Sequence, residues 1–207
     1  MIALIDYGMG NLSSVYKAFI AVGAKNLKIV SAPKEIMRAD AVILPGVGNF
    51  GDGMKNLTEN GLDQAVIAAV SAGKPFLGIC LGMQLLMESS EEAPGIHGLG
   101  ILKGKTICFS KEMGLKIPQI GWNCVNLTRE HSYFTGMPSG EFFYFVHSYY
   151  LKPDDNKIVL GITDYGIDFC SCVAKDNIFA TQFHPEKSQN IGLQLLRNFG
   201  AMISNQL

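Results

Sequence analysis

Short uninterrupted apolar runs alternate with longer stretches in which apolar residues recur every three or four positions, and this alternation organises the first half of the chain. An apolar run of a few residues between turn signals reads as a strand buried on both faces, whereas the wider spacing reads as one face of a helix. Residues 2–5 form the first such strand. Asp6-Tyr7-Gly8-Met9-Gly10-Asn11 is a polar, glycine-rich turn, and Val15, Phe19 and Val22 mark the helix that follows it. Leu27 to Val30 and Ala41 to Leu44 repeat the strand, with Pro33 placed to open a short helix between them. Pro45 to Gly53 then holds four glycines in nine residues at the expected carboxyl end of a strand, the edge at which open α/β sheets bind ligands. Leu62, Val66, Ala69 and Val70 line the next helix, which stops at Gly73 before Pro75 and a strand leading to Cys80; Met83 to Met87 predicts a further helix.

From about residue 99 to 183 the pattern changes. Thr106 to Phe109, Phe142 to Tyr150, Ile158 to Thr163, Phe169 to Ala174 and Ile178 to Gln182 read as strands joined by polar turns, a meandering and partly antiparallel region. A last helix runs from about Ser188 with Ile191, Leu195, Phe199 and Met202 on its apolar face. Strands alternating with helices, followed by this meander, predict an α/β fold with a parallel block at its centre.

Composition narrows the functional classes. The 207 residues, 48% apolar and 17% charged, suit one domain over 1–207. A net charge of -1 gives no electrostatic reason to expect nucleic acid or an anionic membrane as partner, so a small-molecule substrate is expected. The first residues lack the basic flank of a signal peptide and no apolar run is long enough to span a bilayer, which predicts a cytoplasmic protein. The five cysteines, 80, 108, 124, 170 and 172, contain no C-x-x-C pair. Neither a disulfide framework nor a metal site is expected, and the four other than Cys80 read as packing residues.

Cys80 differs because Gly78-Ile79-Cys80-Leu81-Gly82 has the G-x-C-x-G form of a nucleophile on a sharp strand-to-helix turn. That turn exposes the sulfur at a strand's carboxyl end and at a helix N-terminus, where the unpaired amides favour the thiolate. Near the C-terminus, Ile178 to Phe183 runs into His184-Pro185-Glu186. Proline holds the residue before it extended and fixes its own φ, so His184 and Glu186 can project to the same side and hydrogen-bond. A carboxylate so placed fixes the imidazole tautomer and stabilises the imidazolium, which predicts a Cys80, His184, Glu186 triad. Glu186 could equally cap the helix beginning near Ser188. For an oxyanion hole, the Leu81 amide follows the nucleophile and the Gly46-Val47-Gly48 loop can present a second donor.

These segments, together with Gly121-Trp122-Asn123 and Tyr144-Phe145-Val146-His147-Ser148-Tyr149-Tyr150, resemble the class I glutamine amidotransferases, and among them the HisH glutaminase subunits of imidazole glycerol phosphate synthase. The resemblance covers essentially the whole chain. It implies a flavodoxin-like three-layer fold: a mixed, mostly parallel central sheet with helices on both faces. It also implies that Cys80 attacks the side-chain amide of L-glutamine, that His184 passes the proton to the leaving ammonia and that Glu186 orients His184. By the same resemblance Gln84, Gly48 and the main chain at Ser148 and Tyr149 hold the glutamine, the Pro45 to Gly48 loop rearranges to complete the oxyanion hole, and no cofactor is needed. The implied partner is the cyclase subunit HisF in a heterodimer, with Asn11, Trp122, Tyr144 and Lys187 near the interface. One position departs from the pattern: Gln119 stands where many members have a histidine. It leaves open a paralogue that feeds ammonia to another synthase, for surface sugar amidation or pyridoxal phosphate synthesis.

Overall fold

A computed structural model describes residues 1–203. One sheet runs through it in the order β2 (Leu27–Val30), β1 (Ile2–Ile5), β3 (Ala41–Leu44), β4 (Phe76–Ile79), β12 (Ile178–Thr181), β11 (Asp168–Lys175), β10 (Val159–Asp164), β7 (Gln119–Leu127), β8 (Glu141–His147). The first five strands are mutually parallel. From β11 onward along this path each pairing is antiparallel; off it, β9 (Tyr149–Pro153) joins β11 to β6 (Gly104–Cys108) by antiparallel pairings, and β5 (Ser89–Ser90) lies parallel on β6. The sheet is mixed, as expected, but its antiparallel part is larger than a mostly parallel sheet would have.

Alternation along the parallel strands divides the core in two. Ile2, Leu4, Ile43 and Leu77 point to the face covered by α1 (Leu12–Ala21) and α6 (Gln189–Ala201), where Phe19 meets Phe199 edge to face at 6.3 Å. Ala3, Ile5, Val42 and Leu44 point to the other face, covered by α2 (Pro33–Arg38), α3 (Phe50–Glu59) and α4 (Leu62–Ser71). Because both faces are covered, each of β1, β3, β4 and β12 is buried along its whole length.

Several expectations need correction. The stretch after Pro45 is only partly a loop: Asn49 caps α3, its side chain accepting from the amides of Gly51 and Asp52, so Gly51 and Gly53 lie inside a helix. The helix after Cys80, α5, is one turn, Leu81–Gln84, and Leu86 and Met87 continue only as tighter turns. Its dipole is correspondingly small. Phe142 to Tyr150 is two strands broken at Ser148, and β7 is an additional strand. All five cysteines are free. Cys170 and Cys172 are buried, Cys124 is half-buried, and the exposed Cys108 is not a packing residue.

Candidate active site

The parallel register brings Cys80 and the His-Pro-Glu turn together. Ile79 pairs with Thr181 across β4 and β12, and the Cys80 amide donates to the Thr181 carbonyl at 2.7 Å, so both chains leave the sheet side by side. Cys80 sits at φ 54°, ψ -107°, a left-handed backbone that a residue with a side chain rarely adopts. Close packing holds it there. Gly82 is pressed so tightly on the Leu44 carbonyl that any side chain would collide with it, and a Cβ at Gly78 would meet the Gly82 carbonyl at 3.0 Å.

His184 Nδ1 lies 2.8 Å from Glu186 Oε1, and both side chains are almost wholly buried. The Glu186 carboxylate is therefore spent on the imidazole and does not cap α6. The turn is pinned from behind by Ser188, whose hydroxyl donates to the His184 carbonyl at 2.6 Å and accepts from the Tyr144 amide at 3.0 Å. The remaining ring atom, His184 Nε2, is buried and has no partner of hydrogen-bond geometry. Burial alone would pull this imidazole's pKa down, but the charge of Cys80, reinforced by Glu186, outweighs it and raises the pKa to about 10.

Cys80 opens into a cavity of about 430 Å³ lined by Val47, Gly48, Leu81, Gln84, Ser148 and Tyr149 among others. Of the expected pocket residues only Gly46 stands outside the lining. It lies behind the wall, with its carbonyl 3.3 Å from the Leu81 amide. The amide expected as an oxyanion donor is thus already occupied by the loop expected to supply the second donor. Tyr7 fixes this arrangement by donating to the Pro45 carbonyl at 2.8 Å, and Gly46 passes so close to the Tyr7 hydroxyl that a side chain there would collide with it. Burial and the charge of Cys80 push the Tyr7 phenol well above its usual pKa, which keeps it a neutral donor.

Three further side chains at this site escaped the sequence reading. Glu92 lines the cavity and accepts from the Phe50 amide at 2.8 Å. Buried His147 bridges the Tyr149 carbonyl, 2.8 Å from Nδ1, and the Gln119 side chain, 3.0 Å from Nε2; burial pulls its pKa down to about 4. Gln182 reaches the Cys80 sulfur. Gln182 and His147 each carried a signal, one as the first residue of the Gln-Phe-His-Pro-Glu run and the other within Tyr144 to Tyr150, whereas Glu92 carried none.

Three of the four expected interface residues form one group beginning at the cavity wall. Lys187 lines it and holds its Nζ 5.8 Å from the centre of the Tyr144 ring, which packs edge to face on Trp122 at 6.2 Å. Trp122 is 46% exposed, and Ile120 and Phe142 are each 55% exposed on the same hairpin, so Trp122 is not a core residue. Asn11 lies apart as the cap of α1, accepting from the Ser14 amide at 3.2 Å.

A strained cysteine beside a buried His–Glu pair under a glycine-rich loop suits attack on an amide. The family model for class I glutamine amidotransferases matches residues 3–202, and the chain belongs to that class. Solved structures share its fold, including a glutamine amidotransferase crystal structure with TM-score 0.76 at 18% identity, covering 98% of this chain and 99% of that one. The PurLQS structure from Thermotoga maritima has TM-score 0.75 at 21% identity, covering 99% and 97%. Within the class, the chain belongs to the HisH subunits of imidazole glycerol phosphate synthase. It is 51% identical to the one from Aquifex aeolicus, covering 95% of this chain and 94% of that protein. It is 48% identical to the one from Syntrophotalea carbinolica, covering 98% and 100%.

Proposed function

We propose that the chain is the glutaminase subunit of imidazole glycerol phosphate synthase in histidine biosynthesis, hydrolysing L-glutamine to glutamate and ammonia through Cys80, His184 and Glu186. The observation that carries the chemistry is the strained Cys80 at the cavity floor beside the buried His184–Glu186 pair. The Cys80 sulfur adds to the side-chain carboxamide carbon. His184, charged when the thiolate forms, gives its Nε2 proton to the leaving nitrogen, so ammonia departs and a glutamyl thioester remains. His184 then takes a proton from water as the oxygen attacks, and returns it to the sulfur as glutamate leaves. Glu186 keeps Nδ1–H in place throughout and offsets the imidazolium charge.

Substrate binding follows from the lining. The Glu92 carboxylate suits the α-ammonium group of glutamine, while Gln84 and the Ser148–Tyr149 main chain shape the pocket. The oxyanion site forms when the Pro45 to Gly48 segment turns its Gly46 carbonyl away from the Leu81 amide and presents an amide of its own. An oxyanion donor is worth roughly a hundredfold to a thousandfold in rate, so this loop suppresses hydrolysis in the free chain. Gln119 gives no support to a different acceptor: it is buried, and its side chain lies 3.0 Å from His147 Nε2.

The exposed hairpin of Ile120, Trp122 and Phe142, with Tyr144 and Lys187 beside the cavity, is the docking face for the cyclase subunit HisF, which receives the ammonia without its release to water. The test is steady-state glutamine hydrolysis by the chain alone, then with the cyclase subunit and its nucleotide ligand. Strong stimulation by the pair is expected. High activity in the free chain with no response to the cyclase would overturn the assignment.

A further inference from the structure

Gln182 and Cys80 leave the sheet at the same level, one residue past the paired Thr181 and Ile79. Gln182 is fully buried, and its Nε2 lies 3.6 Å from the Cys80 sulfur. The direction of this contact follows from a neighbouring carbonyl. Tyr149 O can only accept, so the group of Gln84 that faces it at 3.0 Å is the NH2. The same NH2 lies 3.0 Å from the Gln182 side chain, which must therefore present its oxygen there and its own NH2 to the sulfur. A chain of donors thus runs from the pocket wall to the nucleophile: Gln84 to Tyr149, Gln84 to Gln182, and Gln182 to Cys80.

We propose that Gln182 is a positioning residue for the nucleophile, its amide N–H holding the Cys80 sulfur toward the cavity and its oxygen tying that sulfur to the pocket wall through Gln84. The proposal rests on the reading of Cys80 as nucleophile. A neutral donor is suited to this place for a chemical reason. His184 must surrender its proton to ammonia and later return one to sulfur, so its help to the thiolate varies through the cycle. The amide keeps its N–H throughout, and hydrogen bonds to a charged acceptor are the stronger kind. It steadies the sulfur both before attack and when the thioester breaks. The chain that reaches Gln84 also links sulfur position to pocket occupancy.

The other titratable groups around the sulfur are Tyr7 on the β1–α1 turn, His184 and Glu186 after β12, His147 at the end of β8, and Glu92 and Lys187 on the cavity wall. Substitution at Gln182 leaves all of them in place. The test is the pH dependence of Cys80 alkylation by iodoacetamide in the full chain, read by mass spectrometry on the Cys80 peptide so that exposed Cys108 does not contribute. Gln182→Met removes the N–H at similar length; Gln182→Glu keeps an oxygen for Gln84 and replaces the N–H with a second oxygen. Each is expected to move the alkylation midpoint up by about one pH unit, with alkylation about tenfold slower below it. Circular dichroism identifies the variants that fold, and kcat for glutamine in the complex with the cyclase subunit should fall with the same pH signature. An unchanged midpoint in a folded variant overturns the proposal. Cys80→Ala, measured alongside, separates the two readings: retained glutaminase activity refutes the nucleophile, whereas its loss with an unshifted Gln182 midpoint refutes only the positioning role.

Discussion

Removing the Tyr7 hydroxyl tests whether the loop is a gate. Tyr7 donates to the Pro45 carbonyl at 2.8 Å, and Pro45 and Gly46 are buried, so no solvent replaces that bond when it is deleted. A buried acceptor left without its donor costs about 1–3 kcal/mol. If the bond exists only while Gly46 O occupies the Leu81 amide, Tyr7→Phe destabilises the closed loop by that amount. The population with a free Leu81 amide then rises about 5–150-fold. Glutamine hydrolysis by the free chain should rise by a comparable factor until the loop no longer limits it. The rate in the loaded complex, where the loop has already turned, should change little, so the ratio of stimulated to basal activity falls. A glutamate dehydrogenase-coupled assay on the free chain and on the complex reads both rates. A folded Tyr7→Phe chain whose basal rate is unchanged would show that Tyr7 holds Pro45 equally in both loop states, and the gating argument would fail.

The two buried histidines make opposite pH predictions. His184 has a raised pKa, so its contribution to folding is complete below its ordinary value of 6.5 and is lost as the pH rises toward about 10; urea melts of Glu186→Gln should show a smaller loss across that window than the parent chain. The same variant should lose about a hundredfold or more in kcat, because the imidazole tautomer is no longer held. His147 has a depressed pKa, so its contribution is complete above 6.5 and is lost as the pH falls toward about 4. The cost of acidification from this group is about 3 kcal/mol, and NMR titration of the ring should show it neutral at pH 6; an imidazolium signal there would contradict the assignment. At the hairpin, Trp122→Ala should weaken association with the cyclase subunit by about tenfold or more while leaving the free chain's Tm nearly unchanged, since the side chain is 46% exposed. Equal affinity by calorimetry would move the docking face elsewhere.

What the sequence made legible divides along the boundary between local and non-local causes. β1, β2, β3, α2 and the end of α4 follow from short apolar runs and from Pro33 and Gly73, signals that act within a few residues. The His184–Glu186 pair is of the same kind, because Pro185 sets its geometry. Where the reading failed, a distant contact overrode the local signal. Gly51 and Gly53 argue against a helix, yet α3 forms because Asn49 caps it and because Gly53 packs closely against Leu81 and Leu85, whose methyl groups would lie 3.3 Å from an added Cβ. The strand β7 lacks a clean alternation because its outer face carries the exposed apolar residues Ile120 and Trp122. The same holds within the site. No spacing rule places Gln182, Glu92, Tyr7 and His147 around Cys80, since each arrives on a different segment. Their roles depend on donor directions that only the folded arrangement fixes. The resting position of Gly46 O on the Leu81 amide is the clearest case: the sequence marks the Leu81 amide and an amide of the Gly46-Val47-Gly48 loop as oxyanion donors, and only the fold shows that the loop's Gly46 carbonyl occupies the Leu81 amide.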